Sequence, residues 1–243
     1  MCGRYVSTRS PLDLATTYQA SLPDPGQALG PSWNVAPTDM VWGVLERALE
    51  DGDGAQRQLR PLRWGLVPSW AKDLSAGARM INARMETVHE KPAYRSAFTR
   101  RRCLLPADGF FEWDPVPARD GAKAYKQPYL ISPEDGSGMS MAGLYELWRD
   151  PAHREDPDGW VATCTIITTE AIDAAGRVHP RMPLTVAAEH WDDWLDPQHR
   201  DVADLRALLE QPAAGHLSVQ PVSTAVNSVR NNGPELVAPV AGP

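Results

Sequence analysis

Residues 160–168, Trp-Val-Ala-Thr-Cys-Thr-Ile-Ile-Thr, are dominated by β-branched side chains with no glycine, proline or charge among them. Branching at Cβ suits a pleated, packed surface better than a helix, so Trp160–Thr168 reads as a strand. Before it, Arg149–Gly159 (RDPAHREDPDG) is rich in Asp, Pro and Gly and reads as an exposed excursion. Upstream of that excursion, Ser140–Leu147 (SMAGLYEL) is a second β-rich run. Comparable runs occupy Met40–Leu45, Leu62–Val67, Arg102–Leu105, Phe110–Trp113, Pro128–Ile131 and Leu217–Val222, with another polar excursion at Glu50–Gln56. Helical patterns are fewer: Pro11–Ala20, Pro92–Thr99, Ala187–Leu195 and Val202–Gln211, the last with Asp201 placed to cap it. Many short strands with helices at their margins predict an α+β fold with a mainly antiparallel sheet core.

The 243 residues suffice for one sizeable core, and the 23 prolines favour short elements and ordered loops. No repeat or linker divides the chain, so residues 1–231 are expected to form one domain, followed by a poorly ordered tail from 232 to 243. No apolar run reaches the roughly 20 residues that span a bilayer, and the first ten residues, MCGRYVSTRS, lack a signal peptide's apolar stretch. A cytoplasmic protein with no membrane partner is expected, with monomer as the default state. Cys2, Cys103 and Cys164 are odd in number and lack a Cys-x-x-Cys spacing, which predicts reduced thiols and no metal site. The formal charge of −7 argues against indiscriminate coating of nucleic acid, yet residues 56–102 carry eleven Lys and Arg against three acids. One face for an anionic partner follows from that asymmetry; a merely solvated, charge-rich segment is the alternative.

The chemistry begins at Met1-Cys2-Gly3-Arg4. A small residue at position 2 permits removal of Met1, which would give Cys2 a free α-amine beside its thiol. With reference pKa values of about 7.7–8.0 for the amine and about 8.5 for the thiol, both react near neutrality. An aldehyde meeting this pair forms a Schiff base that the thiol closes into a thiazolidine. The alternative for Cys2 is a buried thiol in an ordinary first strand.

Seven segments, MCGRY (1–5), WNVAP (33–37), WGLVPSW (64–70), INARMET (81–87), LPADGFFEW (105–113), VHPRMP (178–183) and VNSVRNNGPEL (226–236), together resemble the SOS response-associated peptidase (SRAP) family of abasic-site processing proteins. The resemblance runs in order through nearly the whole chain. It implies a compact domain described as a distorted β-barrel, which binds single-stranded DNA and crosslinks its N-terminal cysteine to the ring-opened deoxyribose of an abasic site. By motif position Cys2 is then the nucleophile, with Asn82, Glu112 and His179 as its partners, and no metal or organic cofactor is required.

Physical chemistry gives each of these a task. Glu112 lies among Phe110, Phe111 and Trp113, surroundings that suit a carboxyl to proton transfer near neutrality, unless it is simply a strand glutamate paired with an arginine. His179, the only histidine inside one of these motifs, suits proton exchange during opening of the sugar ring and release of the crosslink. Asn82 has no titratable proton and would orient amine or sugar by hydrogen bonds; a turn asparagine is its alternative. Arg4, Arg84 and the run Arg100–Arg102 are candidates for phosphate contacts. Trp70 and Trp113, with Pro37 and Met182, are candidates to stack or wedge where a base is missing, and Asn34 and Thr168 to contact the strand near the lesion. Cys103 and Cys164 read as buried, unreactive thiols. Two rival functions remain: an N-terminal-nucleophile glutamine amidotransferase, although no glutamine-pocket signature is found, and a non-catalytic shield for single-stranded DNA.

Overall fold

The computed structural model describes residues 2–22, 25–48, 54–118, 123–153, 155, 156, 159–210 and 216–242. Met1, Glu50, Gln211 and Pro243, on which some of the expectations above fall, lie outside them.

Twelve strands form among these residues: β1 (Arg4–Ser7), β2 (Ser32–Val35), β3 (Met40–Ala48), β4 (Ala55–Trp64), β5 (Asn82–Arg84), β6 (Arg102–Ala107), β7 (Gly109–Val116), β8 (Tyr125–Pro133), β9 (Met139–Arg149), β10 (Trp160–Glu170), β11 (Arg181–Pro183) and β12 (Leu217–Pro221). One sheet runs β12-β8-β7-β1-β2, antiparallel throughout. In the other, β10, β4, β3, β6 and β9 pair in turn and β9 pairs again with β10, so the ladder returns to its start as a small barrel. Closure leaves these strands no open edge along the ring. The mainly antiparallel expectation holds, with two departures: β10 runs parallel to β4 at Thr163 and Cys164, and parallel to β5 from Ile166 to Thr168.

The period of two distributes side chains between two cores. Val41 and Leu45 of β3, Cys103 and Leu105 of β6, Met141 and Tyr145 of β9, and Cys164 and Ile166 of β10 share one cluster with Tyr5, Trp64 and Phe110. Their neighbours Trp42, Val44, Leu104, Ala142, Leu144 and Ile167 fall in a second cluster, covered by the helices. Gly43 and Gly143 take their places in this tight ring because a Cβ there would stand 2.3 Å from Leu62 Cδ1 and 2.9 Å from Cys103 Sγ respectively.

Four helices cover the second cluster. α1 (Pro11–Tyr18) is capped by Ser10, and α4 (Val202–Leu209) is capped by Asp201 as the sequence anticipates. α2 (Arg95–Arg100) begins three residues later than expected, and the span expected from Ala187 divides into a 3₁₀ turn and the short α3 (Trp191–Leu195). The run predicted at Leu62–Val67 is misplaced: β4 lies upstream and stops at Trp64, since Gly65 has φ +119° and the chain turns there. Part of the expected excursion at 50–56 is accordingly strand. The tail also departs from expectation. Leu236 is buried beside Val6, Phe111 and Val226, Val237 packs against the same cluster, and Pro239 bridges to Val222, so a few contacts hold a segment whose patterning is too sparse to read.

Candidate functional site

Strand register explains how Cys2 and Glu112 meet. β1 and β7 are antiparallel with Arg4 opposite Phe111, so the residues ahead of Arg4 run alongside Glu112 and Trp113. Glu112 shares the face of Phe110, which belongs to the barrel-side core that also contains Cys2; Trp113 shares the opposite face with Phe111. Cys2 is fully buried and Glu112 nearly so.

Two more segments close on the pair. Asn82 opens β5, held in place by parallel pairing with Ile166, and its side-chain amide donates to the Cys2 carbonyl oxygen at 2.7 Å. His179 stands in the turn before β11, its Nδ1 4.0 Å from Glu112 Oε1. That imidazole is gripped from behind, because the Arg181 N–H donates to Nδ1 at 3.0 Å and the Arg181 carbonyl lies 3.1 Å from the same nitrogen. One ring nitrogen thus faces a donor when it carries a lone pair and an acceptor when it carries a proton. Arg181 is a residue that sequence reasoning did not single out. Its guanidinium meets both carboxylate oxygens of Glu86, at 2.5 and 3.1 Å, and the Thr168 carbonyl at 2.6 Å. The signal available beforehand was only its place two residues after His179 in VHPRMP.

Burial, and secondly the charge of Glu112, push the Cys2 thiol far above its ordinary range. The sulfur is therefore a neutral thiol at neutral pH, and bonding it to carbon requires the proton to leave. Glu112, whose charge acts on the thiol, and His179 beside Glu112 give that proton somewhere to go. Cys103 and Cys164 are likewise fully buried, as expected, and desolvation raises both thiols. Among the described residues no three His, Cys, Asp or Glu side chains are grouped as metal ligands.

The residues expected at DNA divide by exposure. Trp70 is 63% exposed and borders a cavity of about 420 Å³ with Pro68, Lys72, Arg79 and Met80, and Arg84 is also exposed. Pro37 and Trp113 are half-buried. Arg4 is half-buried and already engaged, donating to Asn34 Oδ1 and to the carbonyls of Val226 and Asn227. Asn34, Thr168 and Met182, also expected at the strand, are buried. Asn34 turns its amide to three loop carbonyls, Thr168 bonds Ala83, and Met182 fills the core beside Cys2. The arginine run divides similarly: Arg100 is exposed, Arg101 pairs with Glu146 at 2.8 Å, and Arg102 is buried under four backbone carbonyls. A run of like charges on alternating strand and helix faces cannot all reach one partner. A larger cavity of about 530 Å³, between α1, β9 and Trp191, contains none of the four candidate catalytic residues.

Comparison with known proteins matches residues 1–229 to the family described as SOS response associated peptidase (SRAP). Among curated proteins, the abasic site processing protein YoqW of Bacillus subtilis is 36% identical across 98% of this chain and 99% of its own length. YoaM of the same organism, also described as an abasic site processing protein, is 37% identical across 98% and 97%. The abasic site processing protein HMCES of Xenopus tropicalis is 32% identical across 99% of this chain and 78% of its own. Among solved structures, a protein of Bacteroides thetaiotaomicron superposes with a TM-score of 0.76 at 24% identity over 99% of this chain and all of that one. A Bordetella bronchiseptica protein does so with a TM-score of 0.69 at 24% identity over 91% of this chain. At that identity the two structures speak for the fold alone.

Proposed function

The chain belongs to the SOS response associated peptidase (SRAP) family, and on that premise we propose that it processes abasic sites in single-stranded DNA through a covalent bond to Cys2. The observation that supports the reading is that four distant stretches of the chain are linked at one place: Asn82 bonds the Cys2 carbonyl, the charge of Glu112 acts on the buried Cys2 thiol, and His179 lies 4.0 Å from Glu112.

The proposed sequence of steps starts with loss of Met1, which frees the Cys2 amine. Ring opening of the abasic deoxyribose exposes its C1′ aldehyde, with His179 exchanging the hydroxyl proton. The amine attacks C1′ and water leaves, forming an imine. The Cys2 sulfur then adds to the same carbon while its proton passes by way of Glu112 to the imine nitrogen, closing a thiazolidine. Amine, thiol and aldehyde give thiazolidine and one water, with no net oxidation or reduction. Asn82 holds the Cys2 carbonyl and so fixes the backbone from which amine and thiol both project.

One feature of this geometry opposes the reaction. Burial keeps the thiol neutral, which slows a direct sulfur attack, and the amine therefore goes first. Removing Met1 is part of the same proposal, either by the site itself, with Glu112 promoting hydrolysis of the Met1–Cys2 bond, or by a host aminopeptidase. The test is incubation with an oligonucleotide carrying one abasic site, then a denaturing gel and intact mass. A product heavier than the protein by the oligonucleotide less one water, lost in Cys2→Ala, is expected. Equal capture by a chain that keeps Met1 sinks the thiazolidine route, and complete Met1 loss in Glu112→Ala sinks self-processing.

A further inference from the structure

Residues 226–232 (VNSVRNN) form a loop fastened to residues that neighbour the catalytic group. Arg4, two positions from Cys2, donates to the carbonyls of Val226 at 2.8 Å and Asn227 at 3.2 Å. Trp113, next to Glu112, donates through Nε1 to Asn227 Oδ1 at 2.7 Å. The Asn34 amide lies 3.3, 3.0 and 2.9 Å from the carbonyls of Val226, Ser228 and Asn231. Asn232 Oδ1 accepts from the Trp33 N–H at 2.8 Å, and Asn231 Nδ2 reaches back to Ala225. Surface loops are usually among the more mobile parts of a protein, and few are tied at this many points.

At the apex the pattern reverses. Val229 is 59% exposed, Arg230 is exposed, and among the described residues the Arg230 guanidinium has no hydrogen-bond or ion-pair partner. A lone exposed valine is ordinary. A hydrocarbon and an uncommitted cation presented side by side on a rigid mount, beside the reacting residue, are not.

We propose that this loop is a second contact for the DNA strand flanking the lesion, with Val229 packed on a base or deoxyribose face and Arg230 on a backbone phosphate. The proposal rests on the abasic-site reading above. Each nucleotide offers one apolar face and one negative charge, which matches the pair at the apex. A loop already fixed by Arg4, Asn34 and Trp113 has little ordering cost on binding. Because the fastenings start beside Cys2 and Glu112, strand held at the apex is held in register with the reacting carbon.

The test uses Arg230→Gln and Val229→Ser in the full chain. Fluorescence anisotropy with an undamaged thymidine oligonucleotide is read over a salt series, and crosslinking is read with the same strand carrying one abasic site. Arg230→Gln should weaken binding about three- to tenfold and reduce the slope of log affinity against log salt by about 1. Val229→Ser should weaken binding about threefold and leave the slope alone. At limiting DNA both should crosslink more slowly than the parent, in step with the binding each has lost. Parental affinity in both variants, or a weaker Arg230→Gln with an unchanged slope, overturns the proposal. If the parent chain itself neither binds nor crosslinks, the abasic-site reading has failed, and this inference falls with it.

Discussion

The Asn82 side-chain amide donates to the backbone carbonyl of Cys2 at 2.7 Å, which ties the first residue of β5 to a residue 80 positions earlier in the chain. The bond is made to backbone and leaves the thiol untouched, so Asn82 governs where the amine and sulfur of Cys2 point. Asn82→Ala removes that bond at a half-buried position, at a stability cost of about 1 kcal/mol. Crosslinking should fall far more, by about 10- to 100-fold, since misplacement of about 1 Å costs about that much. Time courses on denaturing gels, set beside thermal melts, measure the two losses. A loss of yield no larger than the loss of folded protein would reduce Asn82 to a scaffold residue.

Arg102 and Arg84 make an opposed pair. Arg102 is 2% exposed, lies 5.5 Å over the Trp194 ring, and donates to the carbonyls of Trp194, Phe98, Asp196 and His199. Arg102→Met strands those acceptors and should cost about 3 kcal/mol or more, seen as a melting point lower by about 6–12 °C. Arg84 is exposed, and Arg84→Gln should leave the melt within about 1–2 °C while weakening single-strand binding at low salt. Melting curves and anisotropy on both variants decide it; the reverse assignment of effects would remove Arg84 from the DNA face.

Trp70, 63% exposed beside Lys72 and Arg79, offers a stacking platform that the core does not need. Trp70→Ala should change stability by less than about 0.5 kcal/mol, yet reduce affinity for single strands by about tenfold, the scale of one lost base stack. Quenching of tryptophan emission by the bound strand gives a second reading, and its persistence in Trp70→Ala would move the platform elsewhere.

How much of this was legible beforehand follows from range. Each β-rich run contains residues that end in a strand, because alternation and branching are local properties that survive in any sheet. The three-residue strands β5 and β11 carry no such pattern; they exist because β10 offers them an edge, a relation between residues more than 80 positions apart for β5. The barrel's closure through parallel pairing at Thr163 and Cys164 was equally out of reach. The four candidate catalytic residues were legible as motif positions, and their meeting was not. The burial of Asn34 and Thr168 was not legible either, because a polar side chain in a motif can serve the backbone as readily as a ligand.

Alkaline pH gives a further test through buried acids. Burial raises the thiols of Cys2, Cys103 and Cys164 and the phenol of Tyr5, and pushes Tyr18 up to about 12. A folded-state pKa above the unfolded one means that the unfolded chain releases its proton first as pH rises. The contribution is whole below about 8.5, where unfolded thiols begin to ionise, and is lost progressively above it. The melting point should therefore fall steadily from about pH 8.5 upward. Cys103→Ala/Cys164→Ala, which removes two of these groups, should melt lower at pH 7 yet decline less between pH 8 and 10, and should crosslink at the parental yield. An equal decline in both chains would place the alkaline loss elsewhere.

Asn34→Ala separates the loop's fastening from its contacts. The residue is 4% exposed, so any effect on DNA must pass through what it holds. Its amide binds carbonyls of Val226, Ser228 and Asn231, and its Oδ1 accepts from Arg4 at 2.7 Å. Removal leaves the bonds of Arg4 to Val226 and Asn227, of Trp113 to Asn227 and of Trp33 to Asn232, and takes away those from Asn34 to Ser228 and Asn231. The cost to stability should be about 1–3 kcal/mol, a fall of about 2–12 °C in melting point. Freed residues 228–231 would then have to be ordered on binding, which should weaken single-strand affinity severalfold while leaving the salt slope at its parental value, because no phosphate-binding cation has been removed. Hydrogen exchange at 228–231 should speed up in the same variant. Slow exchange there with weakened binding would instead mean that Asn34 meets the strand directly.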